Sequence, residues 1–273
     1  MSGSQTMDSR PTVCPSCGGD NLGLVGQLPA ADVFAGRELT HVLEGGNLWV
    51  CGRCHLHFRW PRMPGDELAR LYREGDALTW HSDPWSREDW ATAKQWLEQN
   101  TEDDIRVLDI GCSTGRFLAD VLGLGFAKHG IEVNAAAAQI AEQRGIRVVG
   151  LDISSISSGA AQLRFSSVVA FDVIEHIEDP LAFLRQCVEL LLPGGRIIIS
   201  TGNTAARSWR WSGARYWYCA IPEHISFINE QWCHYAADQL GLALTQVHFF
   251  AHAKGRFFWR ARRKVQPPGR PVP

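Results

Sequence analysis

Residues 105–118 read IRVLDIGCSTGRFL, in which a β-rich run ends at an acid and passes directly into a glycine-containing turn. The run Ile105–Asp109 predicts a strand, and Gly115–Leu122 predicts the helix after the turn. Glycine at 111 and 115 lets the backbone approach a ligand closely, and the N-terminus of the next helix offers free N–H groups. This strand–turn–helix unit predicts a ligand-binding edge of an open sheet.

Short β-rich runs alternate with helical segments from this point onward. Further strands are predicted at 129–133, 146–149, 167–171 and 195–200, and helices at 135–144 and 229–240. Alternation of this kind predicts an α/β fold with a parallel sheet that is covered on both faces. Two more β-rich runs, at 242–250 and 256–259, follow the last predicted helix.

Two acids at the ends of the first two predicted strands indicate a nucleoside ligand. Glu132 lies 23 positions after Asp109, where a carboxylate can accept hydrogen bonds from both ribose hydroxyls. The dinucleotide fingerprint GxGxxG places three glycines around a pyrophosphate, whereas this turn has glycine only at 111 and 115. An acid at position 109 is unfavourable beside a pyrophosphate and favourable beside a cation. The pattern therefore favours an adenosyl sulfonium over a dinucleotide.

Four segments give a more specific signal together than any one of them alone. VLDIGCSTGRFL, GIEVNAAAAQIAEQRG, FDVIEHIEDPLAFL and LLPGGRIIISTGN follow one another between Ile105 and Asn203. In this order they resemble the successive motifs of class I S-adenosylmethionine-dependent methyltransferases, particularly the UbiG-like branch. The resemblance implies an enzyme with S-adenosylmethionine as cofactor. It also implies a Rossmann-like sheet of seven strands whose last pair is antiparallel.

The same resemblance assigns residues to a cofactor pocket. Asp109, Gly111 and Gly115 would surround the methionine portion, and Glu132 would hold the ribose. The whole expected set is Asp109, Gly111, Cys112, Ser113, Gly115, Phe117, Glu132, Val133, Asp152, Ile153, Phe171 and Asp172. Two positions depart from the family pattern, because Ser113 replaces the middle glycine and the acid of the third-strand motif is displaced by one residue to Asp152.

Two CxxC pairs mark the N-terminal region. Cys14-Pro15-Ser16-Cys17 and Cys51-Gly52-Arg53-Cys54 are separated by 33 residues. Each pair presents two thiolates on one turn, and four thiolates supply the tetrahedral ligand set of a zinc ion. Because protein fills all four positions, this zinc is expected to be structural. The region resembles the zinc ribbon ahead of many bacterial small-molecule and sugar methyltransferases, which implies that it helps to shape the acceptor side.

The predicted organisation has five parts. They are a disordered tail at 1–12, a zinc ribbon at 13–62, a helical bridge at 63–100, a methyltransferase domain at 101–262 and a flexible tail at 263–273.

The segment at 203–227 is expected to bind the acceptor, since it follows the fifth predicted strand. It interleaves arginines with tryptophans and tyrosines, which suits a sugar, a flat aromatic or a phosphorylated acceptor. The alternative is that its tryptophans pack the ribbon against the catalytic domain. An alcohol acceptor must also lose a proton to a base. We expect His224 to be that base with Glu223 orienting it, and His176 is the second candidate.

Composition and charge restrict the partners. The 273 residues are 45% hydrophobic and 21% charged, with a formal net charge of -2 and a pI of about 6.5, so no global attraction to nucleic acid is evident. A small-molecule or glycan acceptor methylated at oxygen is the leading expectation, and nucleic acid is an unlikely partner. The paired cysteines and the lack of a long apolar run predict a cytoplasmic protein without a membrane span.

Three other functions stay open at this stage. The arginine-rich stretch 207–215 leaves room for an RNA base methyltransferase whose zinc module recognises the substrate. A C- or N-methyltransferase of sugars or natural products is a second alternative, although the sugar C-methyltransferases usually carry tyrosine where this chain has Ile221. A non-catalytic binding protein or a nicotinamide enzyme is the third. The sequence leaves the oligomeric state, the acceptor and the methylated atom open.

Overall fold

The computed structural model describes residues 10–76, 87–99, 105–123, 125–157 and 163–250. Three sequence predictions lie wholly or mostly outside these residues, namely the tail at 1–12, the β-rich run at 256–259 and the tail at 263–273.

A five-stranded parallel sheet forms the centre of the molecule and confirms the α/β class. Its strands are β6 (Ile105–Ile110), β7 (Phe126–Ile131), β8 (Arg147–Gly150), β9 (Phe165–Phe171) and β10 (Leu191–Ser200). The spatial order is β10-β9-β6-β7-β8. The order reverses between β6 and β9, and ligands of open α/β sheets bind beyond the carboxyl ends of the strands at such a reversal.

Helices cover both faces of this sheet. Alternate residues of each strand point to opposite faces, so one strand packs against helices on both sides. The helices are α1 (Gly65–Glu74), α2 (Glu88–Glu98), α3 (Ala135–Gln143), α4 (Ser154–Ser157), α5 (Pro180–Glu189), α6 (Arg207–Ser212) and α7 (Glu230–Leu240). Val168 of β9 packs in a core with α5 and α7, whereas the adjacent Val169 packs with α2 on the opposite face. The predicted helices of the bridge, of 135–144 and of 229–240 are thus present.

Side chains end several of these helices in the expected way. The Asn134 side chain accepts from the N–H groups of Ala136 and Ala137, each at 3.1 Å, and so caps α3. Gly241 ends α7 in the left-handed conformation with φ 64°, a position that favours glycine. The helix predicted at 115–122 is instead a π-helical turn at Phe117–Val121, in which the Leu122 N–H donates to the Phe117 carbonyl at 3.0 Å.

The strand count differs from the seven that the family resemblance implies. The β-rich run 242–250 is described and mostly exposed, and it pairs with no strand in the described part of the chain. A β-rich composition forms a strand only where a neighbouring strand satisfies its N–H and C=O groups. The described sheet therefore has five parallel strands and lacks the antiparallel last pair.

The N-terminal ribbon is a second, antiparallel sheet. It consists of β1 (Leu22–Gln27), β4 (Asn47–Cys51) and β5 (His57–Trp60), and the hairpin β2 (Ala31–Phe34) and β3 (Arg37–Leu43) is inserted between the first two strands. A short strand from the far end of the chain, β11 (Ser226–Phe227), pairs with β5 as the fourth strand.

Side-chain packing also joins the ribbon to the parallel-sheet domain. Trp232 of α7 is fully buried, and its indole N–H donates to the Ser16 hydroxyl between the first two cysteines at 3.2 Å. The Asn229 side chain, which caps α7, also donates to the His55 carbonyl at 3.4 Å. None of the helices in the described ranges has the length and hydropathy of a membrane span.

Candidate active site and metal centre

The four cysteines of the CxxC pairs come together in one cluster. Their sulfur atoms all lie within 4.8 Å of one another, with Cys14 Sγ 3.6 Å from Cys54 Sγ and Cys17 Sγ 3.5 Å from Cys51 Sγ. A tetrahedral zinc with Zn–S bonds of about 2.3 Å separates its sulfur ligands by about 3.8 Å. All four thiols are free of disulfides, so the cluster fits a zinc ion.

The two CxxC turns share one backbone feature. The residue that follows the second cysteine of each pair has positive φ, at 67° for Gly18 and 63° for His55. Glycine adopts this conformation freely, and histidine is among the other residues that tolerate it. The backbone N–H of Arg53 also approaches Cys51 Sγ at 3.4 Å, which stabilises charge on the sulfur.

The turn after β6 forms as the sequence predicts. Gly111 and Gly115 have φ of 71° and 75°. A Cβ on Gly111 would lie 2.7 Å from the Val173 side chain, and one on Gly115 would lie 2.9 Å from Ile146. Ser113 also has positive φ, at 49°, which explains why glycine is the commoner residue at this position in the family.

Glu132 and Ser113 connect this turn to the end of β7. The Glu132 carboxylate accepts from the Ser113 backbone N–H at 2.8 Å through Oε2 and from the Asn134 N–H at 2.8 Å through Oε1. Each oxygen keeps a further acceptor position. β7 ends at Ile131, two residues before the predicted strand end at Val133. Glu132 and Val133 therefore lie just beyond the strand.

Two buried carboxyl groups give this edge of the sheet a strong preference for a cation. Burial raises the pKa of Asp109 well above its usual value, and repulsion from Glu132 raises it further, whereas Arg87 opposes the shift. Burial likewise raises the pKa of Glu132. A positively charged ligand would favour the ionised form of both groups.

Two residues of the expected cofactor set point their side chains into the protein core. The Cys112 sulfur packs against Gly130, where an added Cβ would lie 2.5 Å from it. The Phe117 ring packs 4.6 Å from Phe171 and 5.8 Å from Trp90, measured between ring centroids. Both side chains therefore support the pocket from behind.

The remaining four residues of the set lie after β8 and at the end of β9. Asp152 is exposed and accepts from the Ser154 hydroxyl at 2.5 Å, and Ile153 packs against the core. Phe171 is half-buried, and Asp172 has φ 53°. The Asp172 carboxylate pairs with Arg87 at 2.7 Å.

A cavity beside Glu132 brings in residues that the sequence did not single out. Ser113, Glu132 and Val133 line it together with Ala35, Tyr72, Gly75, Asp76, Asn134 and Ala137. The end of α1 is held over this cavity by the Asn134 side chain, which donates to the Gly75 carbonyl at 2.9 Å. The Asp76 N–H donates to the Ala35 carbonyl at 3.1 Å. The ribbon hairpin and the end of α1 thus cover the predicted nucleoside site.

Glu223 and His224, the predicted base pair, each hydrogen-bond to another group. The Glu223 carboxylate accepts from the Ala35 backbone N–H at 2.5 Å, because the ribbon hairpin brings an amide to it. The His224 ring is oriented by a different group, since its Nδ1 lies 2.9 Å from the Tyr218 carbonyl oxygen. A carbonyl only accepts, so the hydrogen is assigned to Nδ1 and the lone pair to Nε2.

His176, the second candidate base, lies next to His224 with ring centroids 4.9 Å apart. Its Nδ1 contacts the Tyr72 hydroxyl at 2.7 Å and the Glu223 carbonyl at 3.0 Å. Burial lowers the pKa of His176 to about 4, so the ring is neutral at physiological pH. The two candidate bases and the α1 tyrosine therefore form one group, in which His224 is buried and His176 and Tyr72 are half-buried.

Glu175 belongs to the same group and was not proposed as a site residue from the sequence. Its carboxylate accepts from the Tyr218 hydroxyl at 2.5 Å and from the Thr201 hydroxyl at 2.9 Å. Burial, assisted by Asp172, raises the pKa of Glu175 to about 8. Its position next to His176, a candidate base, is the sequence signal that could have identified it.

The segment after β10 divides its aromatic and basic residues between core and surface. Trp209 and Tyr218 are buried against the ribbon, as the packing alternative expects. Arg207, Arg210 and Trp211 share the opposite, exposed face of α6. Within the described part of the chain, no carboxylate lies within ion-pairing distance of these two arginines.

Comparison with known proteins identifies the family. A family model described as a methyltransferase domain matches residues 83–247, which is more than half of the chain. A ubiquinone biosynthesis O-methyltransferase of Cereibacter sphaeroides is 39% identical over 112 residues, covering 38% of this chain and 44% of the relative. A ubiquinone biosynthesis O-methyltransferase of Leptothrix cholodnii is 30% identical over 158 residues, covering 50% of this chain and 66% of that relative. The matched regions span less than two thirds of either relative.

The YcgJ protein from Bacillus subtilis is among the solved structures that this chain matches. It matches with a TM-score of 0.49 and 14% identity, over 65% of this chain and 78% of that one. The family match, the relatives and the parallel sheet agree with the motifs at 105–203. The chain belongs to the methyltransferase domain family.

Proposed function

We propose that this enzyme methylates a hydroxyl group of a small-molecule or glycan acceptor, with His224 as the general base. The observation that carries this proposal is the hydrogen bond between His224 Nδ1 and the Tyr218 carbonyl at 2.9 Å. It assigns the lone pair to Nε2, on a ring that is 4% exposed. A neutral imidazole with a fixed tautomer is suited to accept the proton of an alcohol.

The proposed reaction balances with the residues present. S-adenosylmethionine supplies an electrophilic methyl group on a sulfonium sulfur. The acceptor oxygen would form a new bond to the methyl carbon while the bond between that carbon and sulfur breaks. The electron pair of the broken bond would stay on sulfur. His224 takes the hydroxyl proton at Nε2. Alignment of the reacting atoms supplies much of the rate, so the walls that hold the acceptor matter as much as the base.

Cofactor binding is assigned to the pocket after β6 and β7. Glu132 would hold the ribose hydroxyls through the acceptor positions that Ser113 and Asn134 leave open. Asp109 would balance the positive charge of the sulfonium, as its buried position and raised pKa support. The backbone around Gly111 and Ser113 would pass beside the methionine portion.

We also propose that the four-cysteine cluster holds a structural zinc ion. Sulfur separations of 3.5 and 3.6 Å between the facing pairs support a tetrahedral site. Four thiols arranged as ligands, all without a disulfide, also support a reducing compartment such as the cytoplasm.

The relatives and the exposed face of α6 bear on the acceptor class. Both relatives are named O-methyltransferases, which supports oxygen as the methylated atom. The exposed face of Arg207, Arg210 and Trp211 suits an acceptor with an anionic group and a flat ring or sugar, because arginine pairs with phosphate or carboxylate and tryptophan stacks.

A transfer assay with methyl-labelled S-adenosylmethionine tests the proposal. The purified protein is incubated separately with a panel of phenols, a panel of sugar nucleotides and total RNA, and the products are identified by mass spectrometry. We expect label on a hydroxyl oxygen of a small molecule. Label on RNA bases, or on carbon or nitrogen of the small acceptors, would overturn the oxygen assignment.

A further inference from the structure

Arg59 is a buried cation in the ribbon whose role no sequence motif explains. It lies on β5 and is 6% exposed. Burial lowers the pKa of Arg59 to about 10, and nearby Cys219 and Glu223 oppose the shift. Arginine is seldom buried to this extent without a specific set of acceptors.

All of the acceptors recorded for Arg59 are backbone carbonyls. Its Nε donates to His224 at 3.1 Å, and one terminal nitrogen donates to Cys219 at 2.8 Å and to Ile221 at 3.1 Å. The other terminal nitrogen donates to Gly45 at 2.7 Å. Three of the four bonds hold the segment 219–224, and the fourth anchors the guanidinium to the ribbon itself.

The clamped segment is the one that sets the orientation of His224. Its first residue follows Tyr218, whose carbonyl holds the His224 ring nitrogen at 2.9 Å, and its last residue is His224. Arg59 bonds the carbonyl next to Tyr218 and the carbonyl of His224 itself. The two ends of the Tyr218–His224 contact are therefore held by one rigid, planar group.

We propose that Arg59 is a positioning residue that fixes the tautomer and orientation of His224 from the zinc ribbon. The inference rests on the proposed role of His224 as base. β5 begins three residues after Cys54, so the ribbon carries both the cysteine cluster and Arg59. Lysine has a single charged nitrogen and lacks the fork geometry, so it would not replace all of these bonds.

Arg62 provides a matched control. Burial also lowers the pKa of Arg62 to about 10. Its side chain donates to the Glu178 carbonyl at 2.5 Å, the Ile225 carbonyl at 3.3 Å and the Ser226 hydroxyl at 3.2 Å. Arg62 is half-buried, and its Nε also donates to the Arg59 carbonyl at 3.4 Å. Arg62→Lys thus removes a guanidinium fork next to Arg59 without touching the carbonyls of Cys219, Ile221 or His224.

The test is nitrogen-15 NMR of the full chain, purified with its metal and labelled at histidine, with His224 assigned from the missing signals of His224→Gln. In the parent protein we expect His224 to be almost entirely the Nδ1–H tautomer. In Arg59→Lys the ratio of Nδ1–H to Nε2–H should fall by about fivefold or more, the size of one lost hydrogen bond. Arg62→Lys should leave the ratio unchanged, and all three proteins should bind S-adenosylhomocysteine alike.

An unchanged tautomer in Arg59→Lys, or an equal change in Arg62→Lys, would overturn the proposal. If Arg59→Lys does not fold, Arg59→Gln, which keeps an N–H donor pair without the charge, replaces it. If neither variant folds, Arg59 is a folding residue and the proposal fails. Failure of the base assignment is distinguishable, because it appears as retained turnover in His224→Ala whatever the tautomer measurement shows.

Discussion

The His224 Nδ1 atom lies 2.9 Å from the carbonyl oxygen of Tyr218, and the two rings pack with centroids 4.1 Å apart. Ring packing, at an interplanar angle of 49°, and hydrogen bonding by the same residue leave the imidazole few alternative orientations. When the ring is neutral, the Nε2 atom therefore carries the lone pair. This relationship supports the proposal that His224 is the base.

His224→Ala is expected to reduce turnover by about 10²–10⁴, which is the usual share of general-base catalysis. Steady-state rates with a hydroxyl acceptor, together with calorimetry of the cofactor, measure the effect. Cofactor affinity should stay nearly unchanged, because Glu132 and Ser113, and not His224, are the residues proposed to hold the nucleoside.

His176→Ala is the comparison for that experiment. It removes a neighbouring imidazole whose Nδ1 already contacts Tyr72 and the Glu223 carbonyl. If His176→Ala abolishes turnover and His224→Ala retains it, the base is His176. If neither matters, the acceptor is ionised before it binds or is a neutral amine.

Glu175→Gln is expected to stabilise the protein progressively as the pH rises. Burial, assisted by Asp172, raises the pKa of Glu175 to about 8 from a usual value of 4.5. The folded state therefore binds a proton that the unfolded state releases. The stability that this group contributes is complete below its unfolded pKa and is lost as the pH rises through about 8. Glutamine resembles the neutral acid and lacks this loss.

Melting temperatures between about pH 5 and about pH 9 test this expectation. The difference between Glu175→Gln and the parent protein should grow with pH. The exposed Glu142→Gln on α3 should follow the parent throughout. A constant difference across the range would show that Glu175 titrates as an ordinary carboxyl group.

Removal of the metal is expected to unfold the ribbon and to lower the melting temperature. Structural zinc contributes roughly 10–16 kcal/mol to folding in small zinc domains, and this ribbon shares its core with α7 through Trp232. Elemental analysis should find one zinc per chain, lost in Cys17→Ser. Cys233→Ser changes a half-buried thiol outside the cluster and should keep the metal. A metal-free protein with full stability would exclude the zinc assignment.

S-adenosylmethionine is expected to gain affinity relative to S-adenosylhomocysteine as the pH rises. Burial raises the pKa of Asp109 and of Glu132, so both carboxyls ionise at a higher pH than usual. Only S-adenosylmethionine carries a positive charge on sulfur, so only its affinity should increase through the sulfur atom when these carboxyls ionise. Calorimetric titrations of both ligands should diverge with pH, and Asp109→Asn should reduce the divergence. Parallel pH profiles would place Asp109 away from the sulfonium.

The parallel sheet is predictable from sequence because its signals are local. The runs that end at Asp109 and Phe171 are short, apolar and followed by turns, as expected of strands buried on both faces. The turn glycines at 111 and 115 are needed for φ and close packing. The spacing of the four cysteines alone also predicts that they form a cluster.

The surroundings of Glu223 and His224 are less predictable from sequence, because contacts between residues far apart in the chain determine them. β11 is two residues long and pairs with a ribbon strand far away in the chain, so no periodicity reveals it. The Glu223 carboxylate bonds to Ala35 for the same reason, although its neighbour in sequence is His224. Arg59 and Tyr72 likewise carry no motif, and only the folded ribbon brings them to this site.

Calorimetry of S-adenosylmethionine with the full chain, its Glu132→Ala variant and the exposed control Glu142→Ala tests the central claim most directly. The claim is that the cofactor binds where Glu132 meets the turn at Ser113. We predict one site per chain, an affinity weakened by roughly 1–3 kcal/mol in Glu132→Ala, the cost of unsatisfied buried partners, and no change in Glu142→Ala. Unchanged affinity in Glu132→Ala, or no binding by the parent protein, would contradict it.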